Sequence, residues 1–549
     1  MNALTLFIVL QMGILAVLDV LVPNIPSLGA VGLTYWSLLW ITLAGFSLLC
    51  LFRTTQLLIA GRFILTAFVT VIFLGLVLVA ATDTRNLSGE TTREIGCVLT
   101  HLTAARDKGF SQTCHLGYPA RQFLLPAAPT LVFGRTYEAL QFGNIAYFVL
   151  GFIVFLRGMI GFLMHTKDAD MKLATVLSFL LHFYLMLYIV LTFEQAVYPI
   201  SLAFYSVGLW LIWYRKKTSA LLLMLGLIQL ALIHLYTPAL AVVFLNMALF
   251  SYFAYEAFKK RPRSTLLLVS VLLVTSISLV ISIRTRTDIR ITTNASSPAT
   301  IQSVGAVFTD MWRHIVYRTG SIPWISAVFS LPFLMIFVLS LIGALGTVAS
   351  ILATWMLSVM FIAVFAHGYA SGSVDYKLQR AIVIIPYFLL IAAEGAKRIH
   401  VSKSVLTSIV ILLLVSGVGT FREVQLRKTD VHQVQLSAYL QPRIQPQGTS
   451  DKLGTIYLSS DILPFVKADN FGDITPYFLP SWHAQMVGTM DESCRLTEGV
   501  WVFLATDECA KRVVAAPTKL TVTHLGILPL SNITQPLNHS ALVIYRVER

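Results

Sequence analysis

The chain has 549 residues, of which 56% are apolar and only 12% charged, about half the charged fraction of a soluble globular protein. That balance excludes a soluble globular fold. Successive apolar runs of about 20 residues, each enough for roughly 30 Å of hydrocarbon, point to a polytopic helical membrane protein. The net charge of +14 is not a nucleic-acid footprint, because the basic residues fall in short clusters between apolar runs, such as Arg215–Lys217 and Lys259–Arg263. Membrane insertion imposes that pattern.

The first run, MNALTLFIVLQMGILAVLDVLV, has no basic head and no small-residue cleavage site, so it reads as a retained span. Spans are expected at 4–22, 32–52, 58–81, 141–163, 173–192, 197–214, 219–235, 238–257, 265–283, 322–343, 347–367, 380–396 and 404–420, about thirteen in all. With a cytoplasmic N-terminus, Arg53, Lys167, Lys172, Arg215–Lys217, Lys259–Arg263, Lys397, Arg398 and Lys403 share the cytoplasmic side, as the positive-inside rule requires. Residues 82–140, 284–321, 368–379 and everything after 421 then lie outside. Arg284, Arg286 and Arg290 depart from the rule there. The expected fold class is therefore mainly α: N-terminal transmembrane helices at 1–81, a first outer loop with amphipathic helices at 82–140, a transmembrane bundle at 141–420 and a small soluble α/β domain at 421–549. Strands in that last domain are expected at GTIYLSS, GVWVFLAT, KLTVTHLG and SALVIYRVE, β-rich runs punctuated by Gly and Pro.

Cysteine usage agrees with this topology. Cys50 falls inside a span, whereas Cys97, Cys114, Cys494 and Cys509 all fall in outer segments. Two disulfides are expected in an oxidising compartment, with Cys97–Cys114 and Cys494–Cys509 as the local choices and the pairing left open.

The first outer loop carries Asp83, Glu90, Glu94 and Asp107. From Glu94 the sequence EIGCVLTHLTAARDK places Ile95, Val98, Leu99 and Leu102 at helical spacing, the mark of an amphipathic helix on a bilayer surface. A carboxylate there suits a general base that takes a proton from an attacking acceptor group; the bland alternative is a solvated acid that complements the helix dipole. Further on, Gly117-Tyr118-Pro119-Ala120-Arg121 reads as a helix start, with Pro126 and Pro129 giving a re-entrant or kinked segment rather than a full span. Arg121 is a candidate phosphate contact, or a snorkelling interfacial side chain.

Two later outer segments add basic candidates. In FTDMWRHIVYRTG, Arg313 and His314 stand three and four residues after Asp310, a spacing that pairs side chains on a helix and suits either a sugar or phosphate ligand or a charged interfacial helix. In Tyr376-Lys377-Leu-Gln-Arg380, two cations three residues apart precede an apolar run. On the outer side, membrane insertion gives no reason for them, and they suit a lipid phosphate or diphosphate. There is no phosphate-binding glycine loop, no HExxH and no cysteine zinc motif. No cofactor and no metal ligand is assigned, and a divalent-metal requirement is left open. His165, His182 and His234 read as packing or interfacial residues.

The acid-bearing first outer loop with its amphipathic helix, then Gly109, Gly117-Tyr118-Pro119 and an apolar segment ending Phe133-Gly134, resembles the GT-C class of integral membrane glycosyltransferases. The later Tyr376-Lys377-Leu-Gln-Arg380 followed by Ile385-Pro386-Tyr387 is similar to that class's basic helix start. The resemblance implies transfer of a sugar from a polyprenyl-phosphate donor to a glycan, lipid or protein acceptor on the outer face, in a multi-pass protein of the bacterial inner membrane whose partners are membrane lipids and no nucleic acid. It implies that the base is the acid heading the first-loop helix: Glu94 by spacing from Gly109, with Glu90 second and Asp83 third. Tyr118, Arg121, Arg313, His314, Tyr376, Lys377 and Arg380 are the candidate substrate contacts. The chain departs from the class in lacking an acidic doublet and in placing three spans before the loop. The alternatives are a glycan ligase or polymerase acting on lipid diphosphates, and a transporter of lipid-linked sugars.

Overall fold

The structure, a computed structural model, describes residues 3–21, 29–81, 89–104, 123–182, 197–235, 239–258, 262–285, 382–398, 402–427, 432–444, 454–487 apart from 463–465 and 467, 496–513, 520–530 and 541–548, with a few residues between 338 and 345. The helices are α1 (Ala3–Leu21), α2 (Gly29–Leu57), α3 (Ile64–Ala81), α4 (Gly89–Ala104), α5 (Leu124–Phe133), α6 (Tyr137–Leu163), α7 (Ala169–His182), α8 (Val197–Lys216), α9 (Ser219–Ile233), α10 (Ala239–Phe258), α11 (Pro262–Thr285), α12 (Ile385–Arg398), α13 (Lys403–Arg427) and α14 (Gln433–Leu440). There follow β1 (Gly454–Ser459), α15 (Ala468–Phe478), β2 (Trp482–Val487), β3 (Gly499–Leu504), α16 (Glu508–Val513), β4 (Thr521–Pro529) and β5 (Ala541–Glu548). The chain divides into two compact units, one of Met1–Ala80, Asp107–Leu125 and Asn144–Glu423, the other of Ala81–Arg106, Pro126–Gly143 and Val424–Arg549.

The first unit is a helical bundle. Among the described residues, four helical segments are long and apolar enough to cross a membrane: Thr34–Ala60, Tyr137–Leu163, Val197–Lys216 and Thr265–Ser282. Six further apolar stretches, among them Ala3–Leu18, Ile64–Val79 and Ser219–Ile233, are shorter. Eleven of the expected spans overlap a described helix; residues 183–192 of the span expected at 173–192, most of 322–343 and all of 347–367 lie outside the described residues. The protein is mainly helical and polytopic, with several long apolar helices and a C-terminal β-sheet domain.

Packing inside the bundle follows membrane-protein rules, where small residues let backbones approach. A Cβ on Gly158 of α6 would fall 2.7 Å from the Gly208 carbonyl of α8, so only glycine fits that crossing. Phe73, Phe148, Phe152 and Phe204 make ring contacts with one another across α3, α6 and α8. One buried polar network is fully satisfied. Asn246 of α10 uses every hydrogen-bonding position: its Oδ1 accepts from Trp210 Nε1 at 3.0 Å and from Tyr387 Oη at 2.7 Å, and its Nδ2 donates to Ser206 Oγ at 3.2 Å and Gln229 Oε1 at 3.0 Å. That knot joins α8, α9, α10 and α12. Helix α3 begins after a π turn at Leu58–Arg62 and is capped from α7: Asp170 accepts from the Leu65 and Thr66 amides at 3.0 and 2.9 Å.

The second unit holds a five-stranded sheet in the order β2-β1-β3-β5-β4. β1 is parallel to β2 and β3, while β5 is antiparallel to β3 and β4. Its central strands are buried on both faces. Ile456, Leu458, Val500, Val502, Leu542 and Ile544 fill one side, and Trp501, Phe503, Val543, Tyr545 and Val547 pack with Cys509 and Ala510 on the other. Four strands match the β-rich runs of the sequence. β2, WHAQMV, was not among them: its burial alternates poorly, and an edge strand needs no continuous apolar pattern.

Candidate functional site

The second unit contains α4, the helix expected in the first outer loop. It starts at Gly89, five residues before the expected start at Glu94, so Glu90 stands in its first turn and Glu94 a turn further in. The physical reason is that Thr91, Thr92 and Arg93 continue the helix once its apolar stripe is covered. Ile95, Val98 and Leu99 are at most 3% exposed, and α4 packs against α15, whose Phe471, Ile474 and Tyr477 are fully buried.

α15 is held at two points on α4 and at a third on the turn between α5 and α6. Gly96 lies so close to α15 that a Cβ there would sit 2.7 Å from the Pro476 carbonyl carbon and the Tyr477 amide nitrogen. Arg93 Nη1 pairs with Asp473 Oδ1 at 2.6 Å. Beyond the end of α5, Arg135 donates to the Pro476 carbonyl at 3.0 Å, and Tyr477 Oη donates to the Thr136 carbonyl at 2.8 Å. α5 terminates through Gly134 at φ +78°, the left-handed residue that ends a helix, which explains the glycine after Phe133. Pro126 lies in the first turn, where no intrahelical N–H bond is lost, and Pro129 is accommodated inside the helix. Burial in this joint lowers the pKa of the Arg135 guanidinium, partly opposed by Tyr477.

Glu94 has no exposed surface. Its Oε1 lies 3.9 Å from Arg93 Nε, so the Arg93 guanidinium stands between Glu94 and Asp473. The carboxylate is thus held inside the joint rather than presented at a surface. Glu90 is on α4, but its side chain lies outside the described residues, as does all of Asp83. Tyr118, Arg121, Arg313, His314, Tyr376, Lys377 and Arg380 also lie outside them. Cys97 and Cys509 are each disulfide-bonded; Cys114 and Cys494 lie outside the described residues, and Cys50 is a buried free thiol.

Sequence reasoning missed Asp473, Arg135 and Tyr477. Asp473 sits in ADNFGDITPYF, read only as part of a soluble α/β domain, and its partner Arg93 is 380 residues away. No local pattern signals such a pair. Among the described residues no group of three or more His, Cys, Asp or Glu side chains gathers to hold a metal. His165 contacts Arg215 at 3.0 Å, and His234 sits edge-on to Trp36 with ring centroids 5.7 Å apart. A cavity of about 340 Å³ in the first unit is lined by Asp168, Asp170 and Lys403 among others. Its charges are already engaged, Asp168 with Lys403 at 3.3 Å and Asp170 with the start of α3.

No family model matches the chain, and no curated protein matches it in sequence. Among solved structures it is similar to ArnT from Cupriavidus metallidurans in the apo state, with 12% identity and a TM-score of 0.48, over 86% of this chain and 97% of that one. It is also similar to ArnT from Cupriavidus metallidurans bound to undecaprenyl phosphate, with 12% identity and a TM-score of 0.47 over the same shares of the two chains.

Proposed function

We propose that the chain is an integral membrane glycosyltransferase that moves a sugar from a polyprenyl-phosphate donor to a glycan, lipid or protein acceptor at the outer face of a bacterial inner membrane. The observation that carries this reading is the union of the acidic first-loop helix with the C-terminal domain in one compact unit. Within that unit α4 packs directly on α15 of the C-terminal domain, which supports one compartment for the helix-borne loop acids and that domain. The disulfide state of Cys97 and Cys509 supports an oxidising one.

In the reaction, the acceptor oxygen or nitrogen attacks the anomeric carbon, the bond from that carbon to the phosphate oxygen breaks, and a carboxylate takes the acceptor's proton. A general base must come within hydrogen-bonding reach of that proton. The enclosure of Glu94 argues for a different division of labour from the one its spacing suggests: Glu90 or Asp83 acts as base, and Glu94 fixes the pose of α4 through Arg93. Arg121, Lys377 and Arg380 hold the departing phosphate, where negative charge develops.

The test is transfer of labelled sugar from a polyprenyl-phosphate donor by purified protein. The base variant, Glu90→Gln or Asp83→Asn, loses about 10²–10⁴-fold in kcat while its Tm is unchanged. Glu94→Gln lowers Tm, and its loss of transfer is smaller. Full transfer by both Glu90→Gln and Asp83→Asn removes them as base, and absence of transfer by the wild type sinks the class.

A further inference from the structure

Three helices of the first unit end together in basic residues. Arg53 lies near the C-terminus of α2, Arg157 less than two turns from the C-terminus of α6, and Arg215 and Lys216 close α8. Their proximity follows from the packing. The Ser47 hydroxyl of α2 donates to the Leu150 carbonyl of α6 at 3.1 Å, and Tyr205 of α8 donates to the Leu43 carbonyl of α2 at 2.8 Å. Arg215 crosses to α6, donating to the Gly161 carbonyl at 2.8 Å. Arg157 lies in electrostatic range of both Arg53 and Arg215.

Among the described residues these cations have no acidic partner. Carboxylates on neighbouring elements are engaged elsewhere: Asp168 pairs with Lys403, Asp170 caps α3, and Glu394 pairs with Lys397 and Arg398 at 3.3 and 3.4 Å. Among the described residues, none of Arg53, Arg157, Arg215 and Lys216 forms an ion pair with an acid, and the half-buried Arg157 has no hydrogen-bond acceptor. The negative ends of three helix dipoles amount to roughly one and a half charges, well short of four cations. Thr54, 3% exposed and one turn after Cys50 on the same face of α2, has a buried hydroxyl without a partner, and Cys50 itself lies in electrostatic range of Arg53, Arg157 and Lys216. The adjoining surface is apolar, with Leu48 and Phe52 both 63% exposed.

We infer that Arg53, Arg157, Arg215 and Lys216 form a binding site for the phosphate of an anionic membrane lipid, whose acyl chains lie along the exposed apolar face of α2. A guanidinium suits a phosphate because its planar donors match two phosphate oxygens at once. Basic pockets between helices at a membrane surface take anionic headgroups by this chemistry. The exposed Leu48 and Phe52 near Arg53 on α2 favour a lipid over free phosphate.

The experiment uses the full chain purified in a neutral detergent. Binding of phosphatidylglycerol, phosphatidylcholine and inorganic phosphate is measured by native mass spectrometry and by the shift in Tm. Phosphatidylglycerol is expected to bind and raise Tm, and phosphatidylcholine and inorganic phosphate are not. Arg157→Gln is expected to weaken phosphatidylglycerol binding about fivefold, and Arg53→Gln with Lys216→Gln about twenty-fivefold. The second variant alters exposed side chains, so its fold is preserved if Arg157→Gln perturbs packing. Lys511→Gln, which removes a cation from α16, is expected to change nothing. Equal binding of phosphatidylcholine, a Tm shift by inorganic phosphate alone, or undiminished phosphatidylglycerol binding by the double variant would each overturn the assignment.

Discussion

Gly96→Ala tests the joint between α4 and α15 at its tightest point. The new Cβ would lie 2.7 Å from the Pro476 carbonyl carbon and the Tyr477 amide nitrogen, and 2.8 Å from the Pro476 oxygen. All three are backbone atoms of another helix, so no rotamer change relieves the clash. Overpacking of this kind costs about 1–3 kcal/mol, and backbone contacts place Gly96 at the upper end. Against it stands the better helix propensity of alanine, about 1 kcal/mol. The net is a destabilisation of about 2 kcal/mol, or a Tm lowered by roughly 4–8 °C for a domain-sized unit. Gly472→Ala in α15 is the matched control: a Cβ there meets nothing within 4 Å, so only the propensity gain remains and Tm holds or rises. Thermal unfolding in detergent, followed by intrinsic fluorescence, reads both. If Gly96→Ala is as stable as Gly472→Ala, the two helices do not touch as closely as described, and the burial of Glu94 loses its basis.

Asp170→Ala removes the acceptor for two amides at the start of α3 and is expected to cost about 1–2 kcal/mol, seen as a lower Tm that Asp170→Asn partly restores. Asn246→Leu leaves Trp210, Tyr387, Ser206 and Gln229 each short of a partner; at about 1–3 kcal/mol per buried unsatisfied group it should abolish folded protein in size-exclusion chromatography, a fully monodisperse variant being the contrary result. Burial raises the Tyr545 phenol above 10. Its folded pKa exceeds its unfolded one, so this stability is complete below pH 10 and falls as pH rises through the folded value. Tyr545→Phe should flatten that alkaline loss, and an unchanged Tm slope above pH 10 would discount it.

The sequence made the helices legible because an apolar run of span length is a local signal. Four strands were legible for the same reason, as in GVWVFL, where β-branched and aromatic residues crowd into six positions. What escaped was long-range. The start of α4 was displaced because Thr91 and Thr92 are poor helix formers in isolation, and Thr92, buried in the fold, is held helical by its surroundings. Asp473 looked like one solvated acid among several; only the docking of α15 makes it Arg93's partner. Glu94 was read as a surface acid because an amphipathic helix was assumed to lie on lipid with its charges outward. A second protein surface covers it instead.

That second surface changes what the first loop can be. α4 has an apolar stripe, Ile95, Val98 and Leu99, which is costly to leave in water, and a short isolated helix is marginal without tertiary packing. Its cover, α15, begins at Ala468, 371 residues after Cys97, so the loop is synthesised long before the structure that completes it. A chain ending before β1 therefore leaves α4 without its packing partner while the bundle's own contacts, such as the Asn246 knot, are all present. Any chemistry that depends on the loop acids must then vanish with the C-terminal domain, even though no acid proposed as base belongs to it. Under the proposed function, the domain's part would be to set the pose of α4 through Gly96 and Arg93, so that a carboxylate acting as base on or just before that helix would be positioned from far along the chain.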